Sequence, residues 1–588
     1  MWWTPQPDVI EASNLKRFVD ERGFADYTEL HKWSIDHRPA FWEAVVDRLG
    51  IVFANGRGPT IDSDGRWFPQ ARLNIVDSCF TAPRDATAVI HQRDGQLHEV
   101  SFGDLADLVG RAAAGFVALG IVPGDRVAIA MPMTLEAVVA YLGVAACGGV
   151  VVSIADSFAA DEIATRLRIT GTELVVTSNA IHRSGKVLPM YDKVVAASAR
   201  RAVVVGEADL RPSDLSWEEL CATEAPLSSV PLHSDAHLNI LFSSGTTGDP
   251  KAIPWTHLTP IKSAMDGHFH HDIRAGDVVA WPTNLGWMMG PWLIFASLIN
   301  DAALALYDDA PNTAGFAKFV EEAGVSMLGV VPSLVASWRT TGAADGVDWS
   351  AIRVFSSTGE ASNADDMAWL MARAGNKPVI EYCGGTEIGG GYITGSVMQR
   401  SVPGAFSTPT LGLDVVILDE RGQPTDSGEL FIVGPSIGLS VELLNEDHHE
   451  VYFAGVPRPG LRRHGDHMER SPDGYYHAHG RIDDTMNLGG IKVSSAEIER
   501  ALAGVDGVVE VAAIAESPSS GGPSRLVIFA VAEPGVALDA DDLRVEMQVR
   551  IGAQLNPLFR IADVALIDAL PRTASAKVMR RQLRALRE

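Results

Sequence analysis

The chain has 588 residues, 46% hydrophobic and 21% charged, with a formal net charge of −26. Such a composition belongs to a folded chain of about four folding units. Its acidic balance excludes a protein that gathers nucleic acid by bulk positive charge and argues for one that handles small molecules.

The N-terminal MWWTPQPDVI lacks the basic and apolar regions of a signal peptide. The first ~75 residues read as helical, with Leu30, Trp33, Phe41 and Val45 at helix-like spacings. From Leu73 onward, short apolar runs (AVIH, RVAIAM, VVVSI) alternate with helical patterns (LADLVGRAAAGFVALG, EAVVAYLGVAAC). That alternation predicts parallel sheets covered by helices. Ala137 to Ala155 carries no charge, but Gly148-Gly149 divides it, so it reads as a buried helix feeding a buried strand rather than a membrane span. The strand–helix pattern resumes at ALALYD, FAKFVEEAG, SMLGVVP and AIRVFSS. Around 411–435, two β-rich runs flank a turn holding Gly422, Pro424, Asp426 and Gly428, which predicts an antiparallel or barrel-like unit. The last ~100 residues read as a compact α/β unit, with the main boundary at Arg481–Asp484. The four cysteines form no C-x-x-C pair and the terminal ALRE is no peroxisomal address. The expected compartment is therefore the reducing cytoplasm.

The sharpest chemical element is LFSSGTTGDPKAIPWTH, Leu241 to His257. An apolar strand runs into a loop of hydroxyls and glycines that ends on Lys251. Small residues let backbone N–H groups approach phosphate oxygens, and the lysine adds charge. The spacing differs from the G-x-x-x-x-G-K-[ST] of P-loop enzymes.

This string resembles the phosphate loop of the adenylate-forming superfamily, which includes acyl-CoA synthetases, luciferases and peptide-synthetase adenylation domains. Further segments resemble the same family in the same order: FSSTGEASN, YCGGTEIGGG, RRHGDHMERSPDGYYHAHGRIDDTMNLGGIKVSSAEIE and PRTASAKVMRR. The resemblance spans nearly the whole chain and looks strongest to the plant peroxisomal acyl-activating enzymes of the acetyl-CoA-synthetase-like branch. It implies a large N-terminal adenylation domain, 1–482, with a helical extension over 1–75, and a mobile C-terminal domain, 483–588. The fold class expected is α/β, with parallel-rich sheets covered by helices, a small β-barrel-like unit and a small mobile α/β domain.

The resemblance implies an AMP-forming carboxylic acid:CoA ligase that uses ATP, CoA and Mg²⁺. Thr246, Thr247, Gly248 and Lys251 would hold the β- and γ-phosphates, and Thr386 would reach the α-phosphate. Glu387 would bind Mg²⁺. Gly359, Glu360 and Ala361 would lie against adenine, while Asp466 and Arg481 would hold the ribose. Lys577 would bridge the carboxylate and the α-phosphate, where two anions must be brought together. Gly489 and Gly490 would flank pantetheine, Lys492 and Arg550 would reach CoA phosphates, and Asp483 would be the hinge. Trp287 and Met288 would line the acyl pocket. Gly384 stands where acetyl-activating relatives carry tryptophan, so its missing side chain would leave room for acids larger than acetate, and an indole restored there would fill the space. Two alternatives stay open: a ligase that loads a carrier protein, and a non-catalytic nucleotide-binding relative. No nucleic-acid partner is expected, and no oligomeric state is assigned.

Overall fold

Two seven-stranded sheets of one design carry the large unit. In the first, the strands run Leu215–Ser216, Arg201–Val205, Leu174–Ser178, Arg126–Ala130, Val150–Ile154, His237–Ser243 and Lys251–Thr256. In the second they run Val379–Glu381, Val354–Ser357, Met327–Val330, Val278–Ala280, Ala303–Leu306, Thr87–Arg93 and Gln96–Ser101. Every neighbour is parallel except the final pair of each sheet, an antiparallel hairpin. The structure, a computed structural model, describes residues 2–93, 95–243, 249–481, 485–516, 518, 522–533, 535–572 and 578–587, with the backbone alone at 480, 481, 485, 492, 496 and 581.

The apolar runs of the sequence are the parallel strands, as expected of strands covered on both faces. The uncharged segment is the helix Leu135–Ala146, buried from Ala137 onward, followed by the fully buried strand Val150–Ile154. No helix among the described residues is long and apolar enough to cross a membrane. The N-terminal expectation needs correction. Four helices, Pro7–Ala12, Asn14–Arg22, Tyr27–Asp36 and Arg38–Arg48, end at Arg48, and residues 49–74 hold no helix. That stretch carries Gly50, Gly56, Gly58, Pro59 and Gly65, which break helices by backbone freedom and a missing donor.

The β-rich run near 411–435 is antiparallel, with Asp414–Leu418 paired to Ser427–Val433, and the sheet continues through Leu461–Arg470 and Tyr476–Arg481. Beyond it stands the smaller α/β unit. The hairpin Thr485–Leu488/Ile491–Ser494 precedes the strands Val508–Glu516, Arg525–Ala532 and Ile561–Leu566 and the helix Ala540–Gln554. Its main apolar cluster, built around Ile498, Ile528, Met547 and Ile551, is separate from that of the large unit.

Candidate active site

The hairpin that follows the phosphate-loop strand supports the acidic motif directly. Trp255, on the strand Lys251–Thr256, donates from Nε1 to the Thr386 carbonyl at 2.7 Å. Arg462, buried on Leu461–Arg470, donates to the Ser440 carbonyl at 2.7 Å, and the Ser440 N–H in turn donates to the Glu387 carbonyl at 2.8 Å. Thr386 and Glu387 form a single helical turn closed by Gly389 in the left-handed region, where an L side chain is strained. The buried His464 ring stands between two carboxylates, with Nδ1 3.4 Å from Glu387 Oε1 and Nε2 3.4 Å from Asp466 Oδ2. Tyr392 donates from its hydroxyl to Asp466 Oδ2. Asp466 lies opposite Arg481 in strand register, so the two expected ribose residues are cross-strand neighbours.

One cavity of about 1830 Å³ joins these groups. Its walls include Gly359, Glu360 and Ala361, Gly384, Thr386, Glu387 and Asp466, together with Trp287 and Met288. The smaller unit contributes Gly489 and Gly490. These two glycines turn the hairpin at φ of 61° and 78°, the positive angles of a two-residue hairpin turn. A Cβ on Gly490 would lie 3.3 Å from Val331 Cγ1, and one on Gly359 would lie 3.3 Å from the Gly490 Cα. The two units thus meet backbone to backbone at the cavity. Glu360 accepts from the Ser333 N–H at 2.8 Å. Burial raises its pKa, and the backbone N–H groups of Ser333, Gly490 and Gly489 favour the charged form.

Other expected residues stand elsewhere. Lys251 opens its strand opposite Ser243 and faces the Tyr452 ring, 5.7 Å from its centroid. Arg550 donates to the carbonyls of Ala503 and Gly504 at 2.9 and 2.8 Å, inside the smaller unit. Thr246, Thr247, Gly248, Asp483 and Lys577 lie outside the described residues, as do the side chains of Arg481 and Lys492. No group of three or more His, Cys, Asp or Glu that could hold a metal occurs among the described residues. A single carboxylate, Glu387, nevertheless fits Mg²⁺, which is commonly held by one or two carboxylates plus substrate phosphates.

Gly384 requires a correction. Its backbone lines the cavity, but a Cβ there would lie 2.0 Å from the Gly390 carbonyl oxygen and 2.8 Å from the Gly391 Cα. The side-chain direction runs into the strand Gly390–Thr394 rather than into acyl space, so an indole would force the strand pair apart. Gly384→Trp is therefore expected to lower melting temperature and pyrophosphate release for all acids alike, an overpacking cost of about 1–3 kcal/mol or more. A variant that kept acetate activity and lost only longer acids would instead place that side chain in acyl space.

Three groups at or behind the site carry no motif of their own in the sequence. His464 stands unmarked inside RRHGD. Behind Tyr382, Lys262 and Asp266 form a fully buried ion pair, Nζ to Oδ1 2.5 Å, and Asp266 Oδ2 accepts from the Tyr382 hydroxyl at 2.6 Å and the Gly391 N–H at 2.9 Å. Glu381 lines the cavity and accepts from Ser362 Oγ at 2.7 Å and the Gly404 N–H at 3.2 Å. Burial pushes its carboxyl up to about 7, partly offset by these donors and Ser357. The folded state therefore holds a proton that the unfolded chain releases near the usual value of 4.5. Its stabilising effect is full below that value and is lost as pH rises through about 7. Glu381→Gln is expected to remove a stability difference of about 3 kcal/mol between pH 4 and 8, measured by denaturant midpoint. Parallel wild-type and variant profiles would refute it.

Residues 76–440 match the AMP-binding enzyme family and 497–577 match the AMP-binding enzyme C-terminal domain. The chain is 43% identical to hexanoyl-CoA synthase of Cannabis sativa, over 99% of this chain and 88% of that protein. It is 44% identical to probable acyl-activating enzyme 17, peroxisomal, of Arabidopsis thaliana, over 99% and 87%. Among solved structures, acetoacetyl-CoA synthetase from Streptomyces lividans superposes with a TM-score of 0.79 at 26% identity, covering 100% of this chain and 94% of that one. The strand–loop–lysine motif, the Thr-Glu turn and the buried aspartate thus stand in a chain that belongs to the AMP-binding enzymes, as an acyl-CoA synthetase of the adenylate-forming superfamily.

Proposed function

We propose that the protein joins a carboxylic acid larger than acetate to CoA, through an acyl-adenylate, with release of AMP and pyrophosphate. The observation that carries this reading is the meeting of Gly359–Ala361, Thr386, Glu387, Asp466 and the Gly489–Gly490 turn at one cavity. At about 1830 Å³ it exceeds the ~300–1,000 Å³ of ordinary ligand pockets, as a site for nucleotide, acyl chain and pantetheine must. The relatives named for hexanoyl and acetoacetyl substrates support an acid larger than acetate.

In this reading Asp466 accepts from the ribose hydroxyls, and Thr386 donates to the α-phosphate as the carboxylate attacks it. Thr246, Thr247, Gly248 and Lys251 hold the leaving pyrophosphate, and Lys577 offsets the charge where the two anions meet. Mg²⁺ on Glu387 would neutralise the triphosphate. The C-terminal domain, 483–588, turns about Asp483 between the two half-reactions, and the Gly489–Gly490 turn then admits pantetheine to the adenylate. Four cysteines in no disulfide, Cys79, Cys147, Cys221 and Cys383, support a reducing compartment such as the cytoplasm, while two relatives carry peroxisomal names.

The test is pyrophosphate release over a panel of carboxylic acids, with and without CoA. Medium-chain acids are expected to outperform acetate and to give a CoA thioester. Pyrophosphate release that never leads to thioester would overturn the CoA ligase in favour of carrier-protein loading.

A further inference from the structure

The face where the smaller unit meets the large one encloses a guanidinium that the proposed chemistry does not use. Arg166, in the helix Ala160–Thr170, is 4% exposed. Its guanidinium lies 3.9 Å from the centroid of the Phe158 ring and 5.2 Å from that of Phe242. Nη1 donates to the Glu162 carbonyl at 2.8 Å and to Glu162 Oε2 at 2.6 Å, while Nε has no acceptor among the described residues. Across the face, the helix Ser495–Ala501 of the smaller unit carries Glu497, whose buried Oε2 accepts from Ser494 N and Oγ at 2.7 and 2.9 Å. Arg166, Glu162 and Glu497 line one cleft of about 30 Å³, room for only a water or two.

Of the two carboxylates on this cleft, one from each unit, Glu162 pairs with Arg166 at 2.6 Å, while across the cleft burial raises the Glu497 pKa and the nearby Arg166 charge favours its ionised form. The exposed pairs of Asp249 with Arg168 and Arg500, at 3.3 and 4.0 Å, are screened by water and contribute little. Trp287 lines both this cleft and the main cavity, so the junction adjoins the acyl site. Close by, the Ala159 N–H donates to the Leu555 carbonyl at 3.0 Å and Asn556 Nδ2 to Ser157 Oγ at 3.1 Å. These bonds align the face but carry no charge.

We propose that Arg166 is a positioning residue for thioester formation: it holds the smaller unit in the arrangement that sets Gly489 and Gly490 against the cavity. This rests on the two-step reading above. Without the guanidinium, Glu162 would lose its ion-pair partner and the buried Glu497 the nearby positive charge that favours its ionised form, leaving like charges on the two sides of a narrow cleft, and the face would part to let water reach them. Adenylation, carried out with the smaller unit turned away, does not need this face.

Arg166→Met keeps a long unbranched side chain beside Phe158 and removes the charge. It is expected to lower thioester formation from supplied acyl-adenylate by about a hundred-fold, with a raised KM for CoA, while ATP–pyrophosphate exchange stays within about three-fold. Arg166→Lys should recover much of the loss. Adding Glu497→Gln to Arg166→Met should recover part of it too, because Glu162 is then the only charge left on the cleft among the described residues, with no like charge opposite, and the amide still caps its helix. Equal loss in both half-reactions, or no loss in the second, would overturn the role of Arg166 alone. A wild type lacking both half-reactions would remove the ligase reading and this proposal together.

Discussion

Lys577→Ala is expected to slow pyrophosphate release by about 10²–10³, the cost of removing one charge-bearing donor worth ~3–4 kcal/mol at a transition state. Thioester formation from supplied acyl-adenylate should survive, because the anion–anion encounter is already past. The flanks of this lysine are fastened within the smaller unit: Arg572 pairs with Glu510, and Arg580 with Glu499 at 2.6 Å. A substitution at 577 therefore leaves these anchors in place and tests the amine itself. Equal loss in both half-reactions would make Lys577 structural and remove it from the proposed chemistry.

The second large effect concerns Asp266. Its carboxylate takes a proton donor from each of three places, Lys262, Tyr382 and the Gly391 N–H, in a region closed to water. Burial lowers the Lys262 pKa, while Asp266 favours the charged ammonium. Asp266→Ala leaves that ammonium in the core with Thr410 Oγ1 at 3.5 Å. Breaking a buried pair from one side costs about 3–5 kcal/mol, read as a fall in urea midpoint. The double variant with Lys262→Met should be markedly more stable than Asp266→Ala alone, since both charges then leave together. Additive losses would show that the pair is not coupled. Pyrophosphate release should fall with the single variant even where it is folded, because Tyr382 leads into the Thr386–Glu387 turn.

That ion pair also marks where sequence reasoning stops. Lys262 and Asp266 lie four apart in a helical stretch, a pattern that normally signals a solvated face, since charged residues are rarely buried completely. Only the tertiary packing of Trp292, His271 and Tyr382 around them, with ring centroids 4.8–5.9 Å apart, shows that the face is dry. Glu381 was hidden for the same reason. The parallel strands were legible because burial on both faces leaves near-continuous apolar runs, as in RVAIAM and VVVSI. The strand Gln96–Ser101 was not, because its residues QLHEVS are largely exposed at a sheet edge. Gly359, Thr386, Glu387, Asp466 and Gly490, each singled out by a motif string, line one cavity. The direction of the missing side chain at Gly384 depends on how closely Gly390 approaches, which no string reports.

The strand order of the second sheet constrains how the chain can assemble. Its strand Thr87–Arg93 pairs with Ala303–Leu306, more than 200 residues later, whereas the first sheet draws on strands between 126 and 256 alone. At about 5–20 residues per second, ribosomal synthesis leaves the 87–101 hairpin waiting ~10–40 s for its partner. Through that interval Val89 and Ile90 present an unpaired apolar edge, the kind of surface on which two nascent chains join. Closing so long a loop is also slow in refolding from denaturant. Of the two large sheets the second is thus expected to form later, and refolding yield is expected to fall as protein concentration rises.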